Sequence, residues 1–155
     1  KGEFQMEKQY ISFLLCDRRY AIEMEEVQEI TYFKNYIELP NSPKFILGIL
    51  NIRGNITLII NLKERLNLAD ENKKGEKQII VVNIGGRQMG FIIDKVTGVF
   101  NLKEANIESP LKTSAFSNSQ LIKGLGKIKE ELIVIMDLKK IFSIEEKIEI
   151  LKMGL

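Results

Sequence analysis

The 155-residue chain contains no histidine, no tryptophan and only one cysteine. The absence of histidine removes the side chain that most often serves as a general base or a metal ligand. With Cys16 alone no internal disulfide can form, so a reducing cytoplasm is the expected compartment. No apolar run approaches the roughly 18 residues of a membrane span, and none has the flanks of a signal peptide.

An excess of one charge is also missing. The 23 basic and 21 acidic residues are intermixed, with a formal net charge of +2. A nucleic-acid-binding protein usually shows a clustered basic stripe. Hydrophobic residues make up 45% and charged residues 28% of the chain, which is typical of a globular protein. The length fits one domain or two small ones that share a core.

Catalytic motifs are absent as well. The Gly85-Gly86 pair does not open a helix, so it is not a phosphate-binding loop, and no nucleophile elbow, Walker motif or zinc-ligand spacing occurs. Cys16 has no possible histidine partner. The carboxylates of Glu23, Glu25 and Glu26 have the spacing of an exposed short helix. We therefore predict a binding module with no enzymatic activity, no cofactor and no metal.

One phrase occurs twice in the sequence. In a first alignment, GILNIRGNITLIINLKERL (48–66) matches GLGKIKEELIVIMDLKKIF (124–142) without gaps. In a second alignment, FLLCDRRYAIEMEEVQEI (13–30) matches VNIGGRQMGFIIDKVTGV (82–99). Two sequence matches at similar offsets indicate an internal duplication, with similar halves at about 10–68 and 78–144. The alternative is a single mixed sheet with coincidental similarity.

Each half is predicted to contain a hairpin, an irregular middle, a second hairpin and a short helical ending, at 62–66 and 138–142. Two antiparallel β modules of about five strands each follow. Neither would be stable alone, so they should share a core and leave a groove at their seam.

The remaining segments lie outside the repeats. Residues 67–77 are predicted to form a charged linker and residues 109–120 a long polar loop. Spacings of three and four predict an amphipathic helix over 144–155, with Ile141, Ile144, Ile148, Leu151 and Leu155 on its apolar face. Lys1 to Gln5 resembles an expression remnant ahead of a native start at Met6.

Residues 8–143 resemble the bacterial chemotaxis coupling protein CheW family. The most specific marker is Asn51-Ile52-Arg53-Gly54, which follows a P-x-x-I-x-G pattern at Pro43, Ile46 and Gly48. The runs that carry the resemblance are FLLCDRRYAIEMEEVQEI, LPNSPKFILGILNIRGNITLIINL, MGFIIDKVTGVFNL and LIKGLGKIKEELIVIMDLKKIF. The resemblance implies two SH3-like five-stranded β-barrel subdomains packed together, with short helices and a C-terminal helix.

The resemblance also implies a function. CheW-like proteins are non-catalytic cytoplasmic adaptors that join membrane chemoreceptors to the histidine kinase CheA and are recruited to receptor arrays. The partners implied are the kinase regulatory domain, which has the same fold, and the receptor's cytoplasmic helical tip, which docks at the groove between subdomains. We expect a monomer when free, with no nucleic acid bound and no membrane insertion.

Two residues depart from the family pattern. Leu58 and Asn61 stand where the family commonly has a proline and an aspartate. A proline suits an edge strand, so its loss makes the edge geometry uncertain at this point. The change from aspartate to Asn61 removes one charge, and any ion pair of the family at this position should be weaker or absent.

Partner binding is assigned to ten residues. Arg53 is expected to pair with Glu29, because its planar fork of donors suits a carboxylate; the alternative is a free surface arginine. Val27, Glu29 and Ile30 lie on a segment that contacts partners in the family. The other candidates are Met24, Phe45 and Ile49, for which core packing is the alternative, and Glu108, Pro110 and Lys112 on a second kinase-facing loop.

Two rival interpretations stay open. The chain could be the CheW-like regulatory domain of a CheA-type kinase, or part of a coupling protein fused to a receiver domain. More distantly, SH3-like barrels also bind nucleic acid, although the even charge distribution and the lack of an aromatic stacking platform argue against that function here.

Overall fold

A computed structural model describes residues 7–69, 75–108 and 121–154. The described chain is mainly β, as expected. Its strands are β1 (Glu7–Leu15), β2 (Arg18–Glu23), β3 (Val27–Tyr32), β4 (Ile46–Ile52), β5 (Asn55–Asn61), β6 (Gln78–Ile84), β7 (Arg87–Ile93), β8 (Lys95–Lys103), β9 (Ile107–Glu108), β10 (Ile122–Ile128) and β11 (Glu131–Met136). The α-helices are α1 (Leu62–Arg65) and α2 (Ile144–Lys152), and short 3-10 helices cover Met24–Glu26, Glu104–Asn106 and Leu138–Lys140.

The strands form two sheets rather than a single mixed one. One sheet has six strands in the order β8-β1-β2-β11-β10-β9, and the other has five in the order β3-β6-β7-β5-β4. Each sheet contains one parallel pair, β2 with β11 and β5 with β7. The expectation of two purely antiparallel modules, each built from one half of the sequence, is therefore wrong. Each sheet combines hairpins from both halves, because the parallel pairs join strands that are distant in sequence.

The described chain consists of two compact units. Unit A comprises residues 7–11, 20–24, 99–108 and 121–154, and unit B comprises 12–19, 25–69 and 75–98. The core of unit A consists of Tyr10, Ala21, Leu102, Ile133 and Ile135, against which Phe100, Ile107 and Ile128 pack. The core of unit B consists of Ile52, Ile59, Ile79 and Val81, against which Phe33, Leu47, Leu50 and Ile92 pack.

The register of the two parallel pairs follows the sequence repeat. In unit B, Leu58 lies opposite Met89. In unit A, Val134 lies opposite Tyr20. Leu58 matches Val134 in the first alignment, and Tyr20 matches Met89 in the second. The internal duplication stays a prediction, and this shared register supports it.

Three hairpins turn through two residues that both have positive φ. These are Cys16-Asp17 (51° and 63°), Arg53-Gly54 (51° and 82°) and Gly85-Gly86 (60° and 82°). Such turns match the right-handed twist of the strands that they join. In the fourth hairpin Lys129 has a φ of 57°, whereas Glu130 does not have positive φ. The short links predicted from the sequence are thus tight hairpin turns.

The repeated glycines Gly48 and Gly124 allow close approach of a neighbouring backbone. A Cβ at Gly48 would lie 2.2 Å from the carbonyl oxygen of Ile37, and one at Gly124 would lie 2.6 Å from that of Glu108. Both glycines follow a register shift at the start of their strand. Ile37 and Glu108 therefore occupy corresponding positions in the two sheets.

Leu58 lies on an interior strand, so this position, where the sequence left the edge geometry undecided, is not an edge. β5 is flanked by β4 and β7, and Leu58 faces Ile49 on one side and Met89 on the other. The Leu58 side chain is buried. A leucine suits this place because it keeps the backbone N–H that proline lacks. Asn61 caps α1, its side chain accepting a hydrogen bond from the N–H of Glu64.

The C-terminal helix is present but packs through a different face from the one predicted. A capping box between Ser143 and Glu146 begins α2, and Ile150 is buried. The predicted apolar residues Ile144, Ile148 and Leu151 are 77%, 46% and 67% exposed. Ile141 is buried ahead of the helix, and Leu155 lies outside the described residues. The helix has apolar residues on two faces, and spacing alone does not decide which face packs.

Candidate interaction surface

The β4–β5 turn presents Arg53 at its tip. Arg53 has a φ of 51° and Gly54 one of 82°. The N–H of Gly54 donates to Oδ1 of Asn51 at 2.9 Å, which fixes the turn from within. A Cβ at Gly54 would meet nothing within 4 Å, so the glycine serves the backbone conformation rather than space. The turn therefore holds Arg53 in a defined place.

Arg53 pairs with Glu29 as predicted. Its Nε donates to Oε1 of Glu29 at 2.8 Å. The Arg53 side chain is 78% exposed and that of Glu29 is 23% exposed. Because the contact uses only Nε, most of the guanidinium faces solvent and can receive a further acceptor. The pairing is confirmed, and its role in partner binding stays a prediction.

The other candidate residues near Arg53 are half-buried. Val27 and Ile30 lie with Glu29 on β3, and Ile49 lies at the middle of β4. None of the three is among the buried core residues. Each therefore keeps some apolar surface that a partner could cover. A residue that only packed in the core would be fully buried.

Phe45 lies at the other end of β4 from Arg53. The strand between them places the two residues roughly 25 Å apart at about 3.3 Å per residue. The guanidinium of Arg65 lies over the Phe45 ring, 5.5 Å from its centroid. The structure does not bring Phe45 together with the Arg53–Glu29 pair, so the candidate residues of unit B do not form one patch.

The remaining candidates are Met24, Glu108, Pro110 and Lys112. Met24 begins a 3-10 helix and is half-buried, and Glu108 ends β9 and is exposed. Both lie in unit A. Pro110 and Lys112 lie outside the described residues.

Two exposed isoleucines near Ile49 were missed by sequence reasoning. Ile37 is 67% and Ile56 is 62% exposed. Ile37 and Ile49 form a β-bridge with reciprocal backbone hydrogen bonds of 2.9 and 2.8 Å, and Ile56 pairs with Asn51 two positions further along β4. Paired and alternate residues share one sheet face, so the three isoleucines form an apolar patch.

Sequence reasoning also missed a charge cluster in unit B, in which Lys63 is buried and Asp94 and Lys77 are half-buried. Asp94 Oδ1 accepts hydrogen bonds from Lys63 Nζ at 2.5 Å and Lys77 Nζ at 2.6 Å, and Oδ2 accepts one from the N–H of Cys16 at 2.9 Å. Burial alone would raise the pKa of Asp94. The two lysines and the backbone N–H outweigh it and hold that pKa below its ordinary value. The cluster ties α1, the start of β6 and the β1–β2 turn to one carboxylate.

Unit A contains a similar cluster whose lysines are more exposed. Glu23 Oε1 pairs with Lys8 Nζ at 2.8 Å, and Oε2 accepts a hydrogen bond from Lys123 Nζ at 2.6 Å. Burial would raise the pKa of Glu23, but the hydrogen bonds from both lysines lower it overall. The carboxylate therefore stays ionised at neutral pH.

The described residues contain neither a metal-binding cluster nor a membrane-spanning helix. Among residues 7–69, 75–108 and 121–154, no group of three or more His, Cys, Asp or Glu side chains is arranged to hold a metal ion. Within the same part of the chain, no helix is long and apolar enough to cross a bilayer.

Two β subdomains with an exposed arginine beside half-buried apolar side chains define a mainly β interaction domain. The family model "CheW-like domain" matches residues 9–146. The chemotaxis protein CheW of Helicobacter pylori is 30% identical over 133 residues, covering 86% of this chain and 80% of the relative. That of Klebsiella aerogenes is 29% identical over 139 residues, covering 90% and 84%.

A solved structure agrees with these sequence relatives. The crystal structure of the scaffolding protein TtCheW from Thermoanaerobacter tengcongensis superposes with a TM-score of 0.82 at 30% identity, covering 91% of this chain and 96% of that one. The chain belongs to the CheW family of chemotaxis proteins.

Proposed function

We propose that this protein is a non-catalytic cytoplasmic adaptor that couples chemoreceptors to the histidine kinase CheA. It would bind the kinase regulatory domain and the receptor's cytoplasmic tip, and would be recruited with them to receptor arrays. Membership of the CheW family and the likeness to a scaffolding protein support this proposal. The observation that carries it is the Arg53–Glu29 pair, held on a tight turn with the guanidinium exposed.

The surroundings of that pair suit protein binding. Ile37, Ile49 and Ile56 offer aliphatic surface, and Arg53 and Asn51 supply a polar rim. Shallow apolar contact with a polar rim is typical of interfaces of modest strength. We expect a dissociation constant on the order of micromolar for the kinase regulatory domain. In an array, many linked contacts would add to the apparent strength.

A second partner-facing surface is proposed at the end of β9. Glu108 is exposed there, and Pro110 and Lys112 follow it in sequence. An adaptor needs two separate surfaces if it is to hold two proteins at once. The resemblance of this stretch to the family is looser than that of the Arg53 turn, and its assignment to the kinase is part of the proposal.

Calorimetry with the kinase regulatory domain and with a receptor fragment tests the proposal. Arg53→Ala should weaken binding of at least one partner about tenfold, because a partly desolvated charged contact contributes about 1.5 kcal/mol. Arg53→Lys should recover only part of the loss, since lysine lacks the planar fork.

Lys129→Ala is the matched control. Lys129 lies at the corresponding position of the β10–β11 turn, is exposed and also has positive φ. The variant should bind both partners as the unaltered protein does. An Arg53→Ala variant that binds both partners with unchanged affinity would remove the assigned role of Arg53, and a protein that binds neither would refute the adaptor function.

A further inference from the structure

Unit A contains a pocket that neither the repeat nor the proposed function accounts for. It has a volume of about 220 Å³ and is lined by Lys8, Tyr10, Glu104, Ile107 and Lys123. Glu23 pairs with both lysines. Its Oε1 lies 2.8 Å from Lys8 Nζ, and its Oε2 accepts a hydrogen bond from Lys123 Nζ at 2.6 Å. The lysine side chains remain 39% and 37% exposed.

The same place in unit B is filled by apolar side chains. Lys123 precedes Gly124 as Leu47 precedes Gly48, and Glu23 matches Ile92 in the second alignment. Glu104 corresponds to Phe33 in the register that matches Glu108 with Ile37. The unit B residues at these positions, which all pack against its core, are Leu47, Ile92 and Phe33. At the positions around the pocket, unit B therefore has three apolar residues that pack on its core, whereas unit A has the charged residues Lys123, Glu23 and Glu104.

The groups around the pocket favour an acceptor. Each ammonium has three N–H groups and uses one on Glu23, so both lysines keep donors for a ligand. Tyr10 also lines the pocket, and its hydroxyl is protonated at neutral pH because the ordinary pKa of 10.0 is raised further by burial. Ile107 supplies an apolar wall. Glu104 in the lining and Glu23 beside the lysines balance the two ammonium charges, so the preference for an acceptor depends on the N–H donors that the lysines keep and not on net charge.

We propose that this pocket binds a carboxylate, carried by an aspartate or glutamate side chain of a partner protein. The proposal rests on the adaptor function for the partner, but the pocket's affinity for carboxylate can be measured without one. The pocket is open and its lysines are partly exposed, so an isolated carboxylate gains little. A carboxylate side chain that belongs to a larger interface is held near the pocket at high effective concentration, so the contact can add to the affinity of the complex.

Titration with sodium acetate, followed by NMR at constant ionic strength maintained with sodium chloride, tests the pocket directly. The unaltered protein should show saturable shifts of the Tyr10 and Gly124 amide signals, with half-saturation on the order of 10–100 mM. Lys123→Leu, which installs the residue of unit B, and Lys8→Leu should each abolish saturation. Lys127→Leu is the matched control: it removes one exposed lysine from the same strand outside the pocket lining and should leave saturation intact. Linear shifts, equal in all variants, would overturn the site.

Calorimetry of the same variants with the kinase regulatory domain and a receptor fragment tests the partner. Lys123→Leu should weaken one of these complexes about three- to tenfold, while Lys127→Leu should not. Saturable acetate binding with unchanged affinity for both partners would overturn the assignment to a partner side chain. If the unaltered protein bound neither partner, the adaptor function would fail together with that assignment, whereas the acetate titration would still decide whether the pocket binds carboxylate.

Discussion

Units A and B each hold one carboxylate between two lysines, in different surroundings. In unit B the side chains of Lys63 and Lys77 are 7% and 19% exposed beside Asp94. In unit A the side chains of Lys8 and Lys123 are 39% and 37% exposed beside Glu23. Lys8 and Lys77 occupy corresponding positions when the second alignment is extended toward the N-terminus. The matching lysine position thus belongs to a half-buried pair in one unit and to a pair with a more exposed lysine in the other.

This difference predicts unequal energies. Removing one partner of a buried pair leaves an uncompensated charge in a poorly solvated place. Removing one partner of an exposed pair lets water take over the other. The geometry of the two clusters is similar and both carboxylates are half-buried, Asp94 at 22% and Glu23 at 14% exposed. The burial of the lysines should therefore decide how much each cluster contributes to the free energy of unfolding.

The largest effect is expected for Asp94→Asn. The variant leaves Lys63 buried without its anion and should lose about 3 kcal/mol in the free energy of unfolding. Urea denaturation at pH 7 measures the loss. Asp17→Asn is the matched control, because Asp17 is exposed in the adjacent turn and asparagine tolerates its positive φ. Losses that agree to within about 0.5 kcal/mol, on the order of the error of such comparisons, would contradict a buried cluster.

The same variant should also alter the acid side of the stability profile. The pKa of Asp94 is lower in the folded protein than its ordinary value of 3.8. Its contribution is therefore present above the unfolded pKa and is lost as the pH falls through the folded pKa. As the pH falls below about 4, the unaltered protein should lose stability more steeply than Asp94→Asn.

A second prediction exchanges one residue between the units. Leu47→Lys puts the residue of unit A onto the core of unit B, where Ile92 stands in place of Glu23. The unpaired ammonium should cost about 2 kcal/mol in the free energy of unfolding. Adding Ile92→Glu should recover part of this loss, because the two new charges can pair as in unit A. Strictly additive losses in the double-mutant cycle would show that the two positions are not equivalent.

Leu47→Met serves as the control for that exchange. It keeps an apolar side chain of similar volume and should cost less than about 1.5 kcal/mol. A methionine variant as unstable as the lysine variant would mean that shape, rather than charge, limits this position.

Local signals in the sequence predicted the parts of the fold that local chemistry determines. The two-residue turn at Gly85-Gly86 and the short helical ending at Leu62–Arg65 depend on residues close together in the chain. The exchange of hairpins between halves was not predicted, because a parallel pair such as β5 with β7 leaves no local pattern. The edge geometry at Leu58 could not be decided from the sequence for the same reason, since its second neighbouring strand, β7, is distant in the chain.

The candidate site was predicted in part. The family motifs include both Arg53 and Glu29, and the contact predicted between them is present in the structure. Asp94, Lys63 and Lys77 come from separate segments of the chain, so no spacing rule joins them. Only the fold brings those segments together, and their grouping could not be predicted from local pattern.

The smallest effect is expected for Glu23→Gln. The two lysines that it releases are partly exposed and can be hydrated, so the free energy of unfolding should fall by less than about 1 kcal/mol at low salt. In about 0.5 M sodium chloride, where the screening length falls to roughly 4 Å, the difference from the unaltered protein should shrink further. The loss caused by Asp94→Asn should persist at that salt concentration, because a buried pair is screened much less. Urea denaturation of both variants at two salt concentrations measures this contrast, and equal salt sensitivity would mean that the two clusters do not differ in hydration.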